Sequence, residues 1–213
     1  VCHHPCEDAC RRGSLDESVA ICSVKRFLAD QEMAEGRPKL PGAKKPVRPE
    51  KVAIIGGGPA GLTAAYFLNR EGFSVTVFEA HQEAGGILRI GINAFRLPRS
   101  VLNAEIQAIA DAGVKIRTNT KVHSIKDLFG KGFRAVLVCT GAHRDLRLNL
   151  PGEDTNGVFG ALEMLKNLNT GRDPNVHGHV VVIGGGNSAI DAARSAVRLG
   201  ANIVTICYRR KLK

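Results

Sequence analysis

Two stretches of this chain repeat one pattern. VAIIGGGPAGLTAAYFLNREGFSVTVFEA, from Val52, and HVVVIGGGNSAIDAARSAVRLGANIVTICYRR, from His179, each run through an apolar strand, a glycine turn, a helix and a second strand. Gly56, Gly58, Gly61 and Gly72 of the first correspond to Gly184, Gly186, Ala189 and Gly200 of the second, each pair 128 positions apart. A unit of this kind must bury a parallel strand pair beneath a crossover helix, which leaves an α/β fold as the economical solution.

The glycine spacing is G-x-G-x-x-G in the first copy and G-x-G-x-x-A in the second. A lone match is weak, but a β-branched strand before it and a helix after it supply the context that makes it specific. The first glycine makes the tight turn, the second lets backbone approach a pyrophosphate, and the third small residue lets helix and strand pack. Phosphates then sit on the unpaired N–H groups of the helix N-terminus. Both copies are therefore predicted to be Rossmann-like dinucleotide-binding units, the second truncated. The structural alternative, two ordinary α/β turns, fits either copy alone better than both together.

The two copies end differently. Glu79 closes the first, eighteen residues past Gly61, where a carboxylate can accept hydrogen bonds from ribose hydroxyls. After a one-residue insertion, the aligned residue of the second copy is Tyr208, followed by Arg209 and Arg210. A 2′-phosphate would be repelled by a carboxylate and gripped in pairs by guanidinium groups. Charged hydrogen bonds contribute on the order of 1.5–3 kcal/mol each, so two would favour a 2′-phosphate roughly 100-fold. A solvated basic strand end is the plain alternative. Acid at one site and arginines at the other imply two unlike dinucleotides, FAD and NADP(H).

The formal charge of +10 raises the question of a polyanionic partner. Five basic residues lie in one stretch, GRPKLPGAKKPVRPE, and no basic stripe interleaves with aromatic residues, so nucleic-acid binding is not expected. The four prolines of that stretch predict a linker over 37–50. Before it, residues 15–35 read as a helix capped by Asp16 and ended by Gly36. A helix near 99–112 and the strand AVLVCTGA are expected between the copies. Apolar runs are short and broken by glycine, so no membrane span or signal peptide is expected and a cytoplasmic location is predicted. The chain starts at Val1 without methionine and stops just after a strand, which predicts a piece of a longer protein.

Cys139 and Cys207 lie in apolar runs and read as small core residues, whereas Cys2, Cys6, Cys10 and Cys22 crowd the N-terminus. Such clustering in a reducing compartment favours metal or cluster ligation over disulfides. Cysteines 2, 6 and 10, with Cys22 as a fourth, suit an iron–sulfur cluster; His3 and His4 keep zinc open.

The succession CHHPCEDACRRGSLDESVAICSVKRFLAD, the first glycine unit, GGILRIGINAFRLPRSVLNAEI, VCTGA, LPGED and the second glycine unit resembles the small (β) subunit of NADPH-dependent glutamate synthase and its relatives, the flavin half of dihydropyrimidine dehydrogenase among them. The resemblance spans essentially the whole chain. It implies part of a helical iron–sulfur domain over 1–36, the linker 37–50, a first FAD-domain segment over 51–172 and the start of an inserted NADPH domain over 173–213. By position it puts Cys2, Cys6 and Cys10 on 4Fe-4S clusters, not necessarily the same one. Gly56, Gly58, Pro59, Ala60, Gly61, Glu79, Gly85, Gly86, Ile87, Leu88, Arg96, Val122, Thr140 and Gly141 fall at the FAD site. Gly184, Gly186, Asn187, Ser188, Ala189, Arg209 and Arg210 fall at the NADPH site. Some relatives ligate a cluster through a glutamine or glutamate where this chain has Lys25, which cannot ligate when protonated.

The implied activity is hydride transfer from NADPH to flavin, followed by single-electron steps through clusters to a partner, with no acid–base residue required. The expected partner is a larger catalytic subunit or an electron-acceptor protein in a hetero-oligomer. An electron-input subunit of another complex, of formate dehydrogenase, hydrogenase or ferredoxin:NADP oxidoreductase type, is the alternative. A non-catalytic cluster-binding scaffold is the alternative outside enzymes.

Overall fold

The computed structural model describes residues 2–36 and 40–209. The chain divides into two compact units, Val1–Leu40 and Pro41–Lys213. The first contains a short helix α1 (Pro5–Asp8), a 3-10 turn over Arg11–Ser14 and the helix α2 (Ile21–Ala34). Helix α2 starts six residues later than the sequence pattern suggests, because Asp16 is otherwise engaged. Its Oδ1 accepts the Arg12 Nε–H at 2.5 Å and the Glu17 N–H at 2.7 Å, a local pairing that competes with capping. The far end follows the sequence reading: Gly36 takes φ +82 just past the Glu35 cap.

The second unit is built on four parallel strands, β1 (Lys51–Ile55), β2 (Ser74–Phe78), β3 (Lys115–Arg117) and β4 (Phe133–Val138), in the order β3-β2-β1-β4. Strand β1 is central, which explains its unbroken apolar run: both of its faces are covered. Ile54, Val75 and Val77 pack on one side with Ala65 of α3 (Pro59–Arg70) and with Val114. Ala53 and Phe78 pack on the other side with Leu128 of α6 (Ile125–Gly130). Between β2 and β3 run a short helix α4 (Ile87–Ile90) and α5 (Arg99–Asp111), the latter where the sequence places it.

After α7 (Ala161–Asn169) the second repeat forms its own parallel pair, β5 (His179–Ile183) and β6 (Ile203–Cys207), crossed by α8 (Asn187–Arg198). Ala192 and Ala196 of α8 pack against Met164 of α7 and against Val176. The other face of the β5–β6 pair is uncovered among the described residues, so Cys207 is exposed and is not the core residue its apolar run suggested. Cys139 is partly buried against the main core.

Residues 44–48 run along the corner between α3 and β2. Lys44 N–H donates to Arg70 O at 3.0 Å, Arg48 N–H donates to Gly72 O at 2.8 Å, and Lys45 pairs with Glu71. The Lys45 ammonium holds the Glu71 carboxyl below the usual carboxylate range. Among the described residues no helix is long and apolar enough to cross a membrane.

Candidate functional site

The first glycine turn is welded to the sheet. Gly56 N–H donates to Phe78 O at 2.8 Å, continuing the β1–β2 ladder by one bond, and Gly56 then takes φ +107, a conformation costly for any residue with a Cβ. A Cβ on Gly61 would collide with the Gly56 carbonyl oxygen, so the third glycine is what lets α3 start against the turn. A Cβ on Gly58 would meet nothing nearer than the Gly86 Cα at 3.7 Å. The fold leaves room beside Gly58, and that room faces a cleft.

The cleft, of about 430 Å³, lies at the carboxyl ends of β1, β2 and β4 and the N-terminus of α3. This is where open α/β sheets bind ligands. Of the sequence-derived candidates it gathers Gly56, Gly58, Pro59, Ala60, Glu79, Gly86, Ile87, Val122, Thr140 and Gly141. Glu79 is 5% exposed. Its Oε2 accepts Gly57 N–H at 2.7 Å and its Oε1 accepts His81 N–H at 2.8 Å, which fixes the carboxylate in the turn while leaving lone pairs for hydroxyl donors. Gly61 and Gly85 act from behind the lining: Gly61 as above, Gly85 by donating its N–H to Gly57 O at 2.7 Å. Leu88 lies in α4 behind Ile87, outside the lining.

The lining also includes Thr120, Lys121, His143 and Lys166, which the motifs did not single out. They arrive from the end of β3, the segment after β4 and helix α7, and no local spacing marks them. Three of them add basic side chains to a lining that already holds the Glu79 carboxylate.

Arg96 is placed differently from the other candidates. Its guanidinium donates to Asp191 of α8, which is buried, and Asn93 Nδ2 donates to Ser195 Oγ at 3.0 Å. Arg194 and Arg198 sit over the Phe95 ring at 4.6 and 4.0 Å. The loop 91–98 is thus tied to α8 through polar and cation–π contacts.

In the second copy, Gly184 N–H donates to Cys207 O at 2.8 Å and Gly184 takes φ +129, matching Gly56. Gly186 caps α8, Asn187 and Ser188 open it, and Ala189 is buried at the third small position. Tyr208 follows β6 and lies over Gly185; Arg209 comes next, exposed. Arg210 lies outside the described residues.

In the first unit, Cys2, Cys6 and Cys22 line one cavity of about 260 Å³ together with His4 and Lys25. Cys10 is not in that lining. Its thiol is pushed down from its ordinary pKa by the backbone N–H groups of Val19 and Arg12. Glu7 ties the cavity wall together, accepting Cys22 N–H at 2.7 Å and pairing with His4 Nδ1 at 3.1 Å. Among the described residues no three His, Cys, Asp or Glu side chains converge closely enough to hold a single metal ion.

Comparison with known proteins agrees with this architecture. The chain is 44% identical to the NADP(+)-dependent formate dehydrogenase subunit beta of Moorella thermoacetica over 99% of its own length and 33% of that protein's. It is 37% identical to the NADPH glutamate synthase small chain of Escherichia coli K12 over 96% of its length and 46% of that protein's. The chain thus spans a third to a half of these relatives. Among solved structures, Mycobacterium tuberculosis FprA in complex with NADPH matches with a TM-score of 0.57 and 27% identity over 69% of this chain and 36% of that one. The family model described as pyridine nucleotide-disulphide oxidoreductase matches residues 50–212, both glycine turns included, and the chain belongs to that family.

Proposed function

We propose that this chain is the electron-input part of an NADPH-dependent flavoprotein subunit, with FAD in the first cleft and NADPH on the second turn. The observation that carries the reading is the Glu79 carboxylate, pinned by Gly57 and His81 N–H groups at the end of the first glycine unit, where the second unit ends in Tyr208 and Arg209. Glu79 offers its remaining lone pairs to the adenosine ribose, the open side of Gly58 admits the pyrophosphate, and the α3 N-terminus stabilises its charge. Gly86, Ile87, Val122, Thr140 and Gly141 enclose the rest of the ligand, with Gly61, Gly85 and Leu88 as their support. On the second turn, Gly184, Gly186, Asn187, Ser188 and Ala189 receive the coenzyme pyrophosphate, and Arg209 with Arg210 draws the 2′-phosphate. Bound FAD supplies the two-electron to one-electron conversion that no side chain of this protein can perform.

The N-terminal thiols fit iron–sulfur ligation in donor chemistry: Cys2, Cys6 and Cys22 share one cavity, and Cys10 presents a separate sulfur surrounded by amide donors. We assign Cys2, Cys6 and Cys10 to 4Fe-4S binding and the whole protein to a cytoplasmic hetero-oligomer that passes electrons to a partner subunit. That partner is of glutamate synthase type or belongs to another NADPH-linked complex. The higher identity to the formate dehydrogenase subunit, 44% against 37%, favours the second.

The test is the absorbance spectrum of the complete polypeptide. Flavin bands that bleach with NADPH at least tenfold faster than with NADH are expected. A purified protein without flavin, or one reduced equally by both nucleotides, would overturn the assignment.

A further inference from the structure

The two glycine turns share their strand ends, yet their middle glycines meet opposite chemistry. In the first copy β1 and β2 finish in register at Ile55 and Phe78, and Gly56 N–H donates to Phe78 O at 2.8 Å. The next residue, Glu79, reaches back and places Oε2 on Gly57 N–H at 2.7 Å. In the second copy β5 and β6 finish in register at Ile183 and Cys207, and Gly184 N–H donates to Cys207 O, again at 2.8 Å. The next residue is Tyr208, and its ring covers Gly185 so closely that a Cβ there would lie 2.6–2.8 Å from three ring carbons. Tyr208 holds over Gly185 the seat that Glu79 holds over Gly57.

We propose that Tyr208 is a specificity-determining residue of the second turn: its ring fills the seat of the ribose-holding carboxylate and so leaves the space beside the turn to a 2′-phosphate. The inference rests on the reading of this turn as the NADPH site. A carboxylate in that seat would do two things, accept a ribose 2′-hydroxyl and repel a 2′-phosphate. An aromatic ring does neither. It also places no anion beside Arg209, whose charge stays available to a phosphate. Tyr208 is 47% exposed, so the seat opens towards solvent and a coenzyme can reach it. The one-residue insertion that separates the copies, nineteen residues from Ala189 to Tyr208 against eighteen from Gly61 to Glu79, leaves this seat in place.

The experiment is calorimetric titration of the complete polypeptide with 2′,5′-ADP and, separately, with ADP. Wild type is expected to prefer 2′,5′-ADP. Tyr208→Glu is expected to bind 2′,5′-ADP about tenfold more weakly and ADP about threefold more tightly, since the new carboxylate can be held by Gly185 N–H as Glu79 is by Gly57. Tyr208→Asp, a second variant should the first fail to fold, moves both affinities in the same directions. Tyr208→Phe keeps the wild-type ratio. If Tyr208→Glu leaves ADP binding no tighter, or Tyr208→Phe loses the preference, Tyr208 does not set the choice, while the proposed function stands. If wild type itself shows no preference for 2′,5′-ADP, the NADPH assignment falls and this inference falls with it.

Discussion

Glu79 Oε2 accepts the N–H of Gly57 at 2.7 Å, across a sequence separation of twenty-two residues, and so joins the end of β2 to the turn after β1. This bond makes the carboxylate part of the turn, poised for a ligand before any ligand arrives. Glu79→Ala leaves the buried Gly57 N–H without its acceptor, at about 1–3 kcal/mol, and frees the part-buried His81 N–H as well. Purified Glu79→Ala protein is expected to retain less than a tenth of the wild-type FAD content. A variant with full flavin occupancy would remove Glu79 from the site.

The glycines of the first turn separate folding from binding. A Cβ on Gly61 meets backbone that cannot yield, whereas one on Gly58 meets open space. Gly61→Ala is expected to lower stability by about 3 kcal/mol or more, near the top of the range for overpacking. Gly58→Ala is expected to melt within about 1 kcal/mol of wild type and to lose FAD, because only the pyrophosphate needs the missing Cβ. Thermal melts with flavin quantification check both. Equal melting and equal flavin retention in the two variants would contradict the distinction.

How much of this was legible in sequence follows from range. The strand–turn–helix–strand units are local patterns with chemistry at fixed spacing, and both formed where the repeat placed them, with Glu79 at the turn and Tyr208 at the matching position. Lys121, His143 and Lys166 reach the cleft from three elements that no motif marks, so only the fold could collect them. Arg96 illustrates the same limit. The resemblance puts it at the FAD site, and no local spacing marks its bonded partner, Asp191, ninety-five residues later. The start of α2 was misplaced for the opposite reason: a strictly local alternative, the Arg12–Asp16 pair, took the residue that would have capped it.

In the LPGED stretch the Glu153 side chain closes a small turn. Glu153 accepts Leu148 N–H at 2.9 Å and Asn149 N–H at 2.8 Å, and the Leu148 bond leads in holding its carboxyl below the ordinary 4.5. A carboxyl depressed in the folded state contributes stability above its unfolded pKa and loses it as pH falls through the folded one. Amide protection factors at Leu148 and Asn149 are therefore expected to be constant above about pH 5 and to fall below about pH 4.3. Glu153→Gln should abolish that pH dependence. Protection that persists unchanged to pH 3 would show that the turn does not depend on the carboxylate.

The Arg96–Asp191 pair ties the loop after α4 to the helix of the second turn, and its energetics are set by unequal burial. Asp191 is 3% exposed and its Oδ1 has no hydrogen-bond partner among the described residues, so the pair is the main compensation for burying that charge. Arg96 keeps some contact with solvent, which makes loss of Asp191 cheaper than loss of Arg96. Asp191→Ala removes a charged hydrogen bond but strands only a partly solvated guanidinium, a cost of about 1.5–3 kcal/mol. Arg96→Ala strands a buried carboxylate and is expected to cost about 3–5 kcal/mol. The double variant should be no less stable than Arg96→Ala alone, since it removes the stranded charge as well. Chemical denaturation of the four proteins gives the cycle. Additive losses would mean that the two side chains do not depend on each other and that α8 is held to the loop by Asn93, Ser195 and the Phe95 contacts instead, and a larger loss from Asp191→Ala than from Arg96→Ala would overturn the ranking by burial.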